Sequence, residues 1–107
     1  MTLEAQRIAI AEACGWKRQT NPGASDIDLD PFEEWIKAGV RVVEQYLPNY
    51  LSDLNAMHEA EKWLLAFRDE HYALYEAKLK RTCTYLSHAT AAQRAKAFLR
   101  TLKLWIE

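Results

Sequence analysis

Apolar residues recur at spacings of three and four along most of this chain, a period that commits most of it to helices. After Leu47-Pro48-Asn49, the residues Tyr50, Leu51, Leu54, Met57, Leu64 and Leu65 fall on one side of a helix expected to reach about Phe67. Asp69 stands where a cap belongs for a further helix with Tyr72, Tyr75, Leu79, Cys83 and Leu86 as its stripe, and 82 to 88 reads as a frayed end or turn. Thr90 and Gln93 form a capping box ahead of an alanine-rich run, the strongest helix start in the sequence. Ala91, Ala95, Phe98, Leu99 and Leu102 face inward on that last helix. Its small alanines permit close approach of a neighbour, and Trp105 and Ile106 are expected to dock the end of the chain.

The N-terminal half is less regular. Thr2 caps a first helix whose Leu3, Ile10, Ala11 and Cys14 share a face, and Gly15 occupies the position of a left-handed C-terminal residue. Residues 17 to 30 have no helical period, contain Asn21-Pro22-Gly23, and read as one long loop. Asp30, Pro31 and Glu33 then supply an N-cap, a first-turn proline and a capping acid. From there Phe32, Trp35, Ile36, Val40, Val43 and Leu47 hold helical register, with Gly39 costing about 1 kcal/mol relative to alanine. The rival reading is a short helix followed by a strand from Val40 to Tyr46, since Val40-Arg41-Val42-Val43 favours β structure.

The expected fold is therefore predominantly α, a compact bundle of about five helices in a single domain, 1–107. The alternative is an α+β arrangement with helices packed on a small sheet involving residues 40–46. A chain of 107 residues with 50% hydrophobic and 27% charged residues is able to bury a core without disulfides or a metal. A formal charge of -1 supplies no overall field for nucleic acid or an anionic membrane. Cys14 and Cys83 lie on apolar helix faces outside any ligand pattern and read as reduced core residues. Met1-Thr2-Leu3-Glu4 has neither the basic start nor the apolar run of a signal peptide, which points to a protein that stays in the cytoplasm.

Three blocks resemble the phage ABA-sandwich domain family of small phage proteins: Ile8 to Trp16, Leu47 to Lys62, and His88 to Trp105. The resemblance implies a phage or prophage product in a bacterial cytoplasm, with helices packed around a small sheet, and implies no known activity. The sequence departs from the family where 31 to 47 reads as helix, and at Lys103, where a glycine is expected.

Among residues able to carry chemistry, His58 and Glu61 share the apolar stripe of their helix at a spacing of three. A buried His and carboxylate together support acid–base chemistry or ligand orientation. The stronger reading is a structural polar pair, for which Arg94, Tyr75 or Tyr72 would be partners. Asp26, Asp28 and Asp30 match only the opening of a calcium loop, because Pro31 and Lys37 stand where glycine and the bidentate glutamate belong. His58, His71 and His88 form no zinc motif, so no metal or cofactor is expected. Gln93, Lys96, Arg100 and Lys103 make a basic stripe on the last helix, ordinarily a solvated face, which would bind a phosphate-bearing ligand or nucleic acid if a second basic element such as Lys17-Arg18 lay beside it. Trp63 and Phe67 share one side of their helix and mark either an interface or a second core layer.

By analogy with the family it resembles, and not from any site, the chain is expected to be a non-enzymatic binding protein, a phage or prophage accessory product that inhibits or sequesters a host component such as an antiviral defence protein. A sponge for a small nucleotide signal and a small enzyme using His58 and Glu61 are the alternatives, with a structural phage component a third. The expected partner is a host bacterial protein or a small nucleotide, with no membrane, no nucleic acid, and self-association through the Trp63 face.

Overall fold

The computed structural model describes residues 1–21, 32–82 and 85–106. Four α-helices and a three-stranded antiparallel sheet account for most of them, so the chain is mostly helical with a small β element. They group into two compact units, Met1–Cys14 with Pro48–Glu107 and Gly15–Leu47. The first holds all the α-helices and the second the sheet.

In the helical unit, α1 (Leu3–Ala13) starts at Thr2, whose hydroxyl accepts from the Ala5 amide at 3.0 Å. It stops at Cys14, and Gly15 follows at φ +103°, a backbone angle that glycine adopts without strain. Ile10, Ala11 and Cys14 are buried as their spacing predicts, whereas Leu3 is exposed. The second helix, α2 (Leu54–Phe67), ends where expected but begins later. Its cap is Asp53, whose carboxylate accepts from the Asn55 amide at 2.9 Å, and Tyr50 and Leu51 precede it in a turn. Met57, Ala60, Glu61 and Leu64 form its buried side, while Leu54 and Leu65 turn outward.

Asp69 is the first residue of α3 (Asp69–Thr82), where its negative charge meets the positive end of the helix dipole. Tyr75 and Leu79 are buried there; Cys83, assigned to the same stripe, lies outside the described residues. A short 3-10 turn, Leu86–His88, leads into α4 (Ala91–Thr101), which has both halves of the predicted capping box. The Thr90 hydroxyl accepts from the Gln93 amide at 3.1 Å, and the Gln93 side chain accepts from the Thr90 amide at 2.9 Å. Ala91, Ala95, Ala97, Phe98 and Leu99 bury one whole side of α4. The other three helices pack on it, and Tyr75 of α3 meets Phe98 edge-on at 6.3 Å. Burial of Phe98 contributes about 2–3 kcal/mol.

The end of α4 explains the expected glycine. Lys103 has φ +60°, its amide donates to Arg100 O at 3.1 Å, and the Leu104 amide donates to Leu99 O at 2.8 Å. Those two bonds define a Schellman termination, whose left-handed residue costs a lysine about 1 kcal/mol more than a glycine. Ile106 is exposed, whereas Trp105 is half-buried against Lys96 and Arg100, and the Met1 ammonium donates to Ile106 O at 3.0 Å.

The sheet unit corrects two expectations. The segment 17 to 30 is not wholly loop, because Lys17–Asn21 forms β1. Nor is 31 to 47 a helix: Phe32–Lys37 forms β2, Val40–Val42 forms β3, and a 3-10 turn covers Glu44–Tyr46. The strand expected at 40–46 is thus present over its first three residues. Asp30 and Pro31, read as the start of a helix, lie outside the described residues. The strands run β1-β2-β3, both pairs antiparallel, with Arg18 opposite Trp35, Gln19 opposite Glu34, and Trp35 opposite Val42. Ala38 (φ +50°) and Gly39 (φ +82°) make the two-residue link between β2 and β3. Positive φ at both central residues is the signature of a type I′ hairpin turn, whose twist suits the strands it joins. Gly39 therefore creates the reversal instead of weakening a helix.

Candidate functional site

Two amphipathic helices that bury their apolar sides against each other leave their polar sides flanking a groove. Between α3 and α4 that groove has a volume of ≈ 310 Å³. Lys78 and Arg81 line it from α3, and Lys96 and Arg100 from α4, with Thr82, Gln93 and Ala97 completing the wall. Four cations converge on it, and among the described residues no carboxylate belongs to its lining. Like charges facing one groove repel, and an anion bound among them relieves that repulsion. Lys96 and Arg100 are also steered by Trp105: the ammonium lies 5.1 Å and the guanidinium 5.5 Å from the indole centre, both within cation–π range.

Three of the four residues in the predicted basic stripe reach this groove, Gln93, Lys96 and Arg100, and the oxygen of Gln93 is already used in the capping box. Lys103 does not line it, because the left-handed termination has taken the chain off the helical path. Lys78 and Arg81 were not anticipated as its partners. Their spacing of three on α3 was visible, but which helix would face the stripe was not. Lys17-Arg18, the pair considered for that role, belongs to the sheet: Arg18 pairs with Glu44 at 3.0 Å and lies 4.8 Å from the centre of the Trp35 ring opposite.

His58 and Glu61 are neighbours as predicted, with Nδ1 of the imidazole 3.2 Å from Glu61 Oε1. They are not a buried pair, however: the His58 side chain is 50% exposed and that of Glu61 11%. The reason is position, since residue 58 follows the buried Met57 around the edge of the α2 stripe while residue 61 remains within it. Glu61 finds Arg94 on α4, one of the expected partners, at 3.1 and 3.2 Å. Tyr75 lies close enough for Glu61 to act on it electrically. Burial first, and the Glu61 carboxylate second, hold its phenol above the ordinary value. Tyr72 is raised by burial and by Glu76 and Glu61. His58, Glu61, Lys62, Leu65 and Tyr72 line a shallow cleft of ≈ 230 Å³.

Trp63 is half-buried and Phe67 is 72% exposed, their ring centres 5.9 Å apart. Asp26, Asp28 and Asp30 lie outside the described residues. Among those described, no group of three or more His, Cys, Asp or Glu is placed to hold a metal ion, and no helix is long and apolar enough to cross a membrane. No protein-family model, curated protein or solved structure matches the chain.

Proposed function

We propose that this protein is a non-catalytic binding protein that sequesters a phosphate-bearing small molecule in the α3–α4 groove. The convergence of Lys78, Arg81, Lys96 and Arg100 on one concavity carries this reading. Surface charges of one sign are ordinarily interspersed with the other, and a chain of net charge -1 has ample acid with which to do so. Arginine and lysine together suit phosphate, the former by its planar fork and the latter as a point charge. In the setting implied by the resemblance to phage proteins, the ligand is a host component, and a small nucleotide signal fits both the charge and the size of the groove.

Isothermal titration with inorganic pyrophosphate and with nucleoside di- and triphosphates tests the proposal. Saturable binding that Lys96→Glu and Arg100→Glu each abolish is the expected result. No heat with any of these probes, or binding indifferent to both substitutions, overturns it.

A second reading, a host protein such as an antiviral defence protein docked on Trp63 and Phe67, is favoured by the exposure of Phe67. The enzymatic reading has less support, because the carboxylate behind His58 is already committed to Arg94.

A further inference from the structure

Phe67 closes α2 with its ring in solvent, against Trp63. The same Trp63 lines a cleft of ≈ 320 Å³ together with Ala13, Leu102 and Leu104, and Glu12 and Arg68 complete the lining. Glu12 and Arg68 carry opposite charges, yet they are not paired with each other, and among the described residues neither side chain forms an ion pair. One face thus presents an exposed aromatic knob, an apolar recess beside it, and one unpaired charge of each sign.

A surface carrying both halves of a complementary pair has the chemistry to match itself under a two-fold rotation. Isologous interfaces are built in this way, with residue i meeting j while j meets i. The two unpaired lining charges are of opposite sign, so a second copy of the same face supplies a counter-charge for each of them. We propose that this face is a homodimer interface in which Phe67 of each copy enters the cleft of the other, and Glu12 of each copy pairs with the partner's Arg68. Trp63 forms the wall against which the incoming ring packs. Two aromatic anchors and two rim ion pairs make a small interface, so the dimer forms in a concentration-dependent way. The residues involved are separate from the basic groove, and the proposal stands or falls independently of the ligand.

Sedimentation velocity on the full chain across a range of concentrations tests it. The expected result is a monomer–dimer equilibrium whose dissociation constant rises about tenfold or more in Glu12→Arg and in Arg68→Glu, and recovers in the doubly reversed chain, where the pair is restored with its signs exchanged. Phe67→Asp is expected to give monomer throughout. Should that variant not fold, the charge reversals, on exposed residues, still decide the question. A wild-type monomer at all concentrations overturns the proposal and returns the face to a host protein. A dimer insensitive to both single reversals overturns it as well.

Discussion

Arg94 on α4 sets one guanidinium nitrogen, Nη1, against both oxygens of the Glu61 carboxylate on α2, at 3.2 and 3.1 Å. Its Nε donates to Ala89 O at 3.2 Å, and its Nη2 donates to Leu86 O. One buried side chain therefore joins α2, the 3-10 turn and the start of α4. Removing a single partner from such a pair leaves a buried charge without its counter-ion, a loss of about 3–5 kcal/mol, whereas replacing both by apolar groups costs far less. Arg94→Met is expected to destabilise strongly in urea denaturation, and Glu61→Leu added to it is expected to recover much of the loss. His58→Ala, which removes a half-exposed neighbour, is expected to change stability by no more than about 0.5 kcal/mol.

The Tyr75 hydroxyl is buried and, among the described residues, has no hydrogen-bond partner at normal geometry, although Glu61 and Arg94 lie close enough to act on it. Its folded-state pKa is raised, so above the ordinary phenol value of about 10 the unfolded chain releases a proton that the folded chain keeps. Stability is therefore full below that pH and falls as pH rises beyond it. Tyr75→Phe is expected to fold at least as well as wild type at pH 7 and to show a smaller loss of stability above about pH 10, measured by thermal melts across the alkaline range.

Lys103 occupies a left-handed position with no glycine to ease it. Lys103→Gly is expected to raise stability by up to about 1 kcal/mol, partly offset by the greater freedom of glycine in the unfolded chain. Because Lys103 does not line the groove, pyrophosphate binding is expected to stay the same in the variant. A fall in either quantity would contradict the role given to this residue.

Trp105 holds Lys96 and Arg100 at the side of the groove. Trp105→Leu removes two cation–π contacts, each worth about 0.5–1 kcal/mol at an exposed site, and leaves both charges in place. Pyrophosphate binding is expected to weaken several-fold, less than in Lys96→Glu, and in every variant that still binds it is expected to weaken further as salt rises.

Much of the helical unit was readable in the chain because its signals are local. Thr2 and the Thr90–Gln93 box bond to amides within three residues, so the sequence that names the cap also supplies its partner. The 31–47 segment misled for the opposite reason. Phe32, Trp35 and Ile36 satisfy a helical spacing, but strand β2 takes its backbone partners from β1 and β3, and β1 reads Lys-Arg-Gln-Thr-Asn, with no apolar alternation to announce a strand. The expected α2 stripe counted Leu54 and Leu65 inward because hydrophobicity stood in for a face that only the packing of α3 and α4 defines.

The sequence by itself determined the starts of α1 and α4, the end of α2, the left-handed turn at Gly15 and the charge stripe of α4, since each depends on residues within a turn or two of one another. Only the tertiary structure decided that Lys78 and Arg81 face Lys96 and Arg100, that Glu61 is held by Arg94, and that Glu12 and Arg68 share the cleft beside Phe67. Those relationships join residues about 15 to 56 positions apart, and they are fixed by which helix faces exclude water together, a property of the packed chain as a whole.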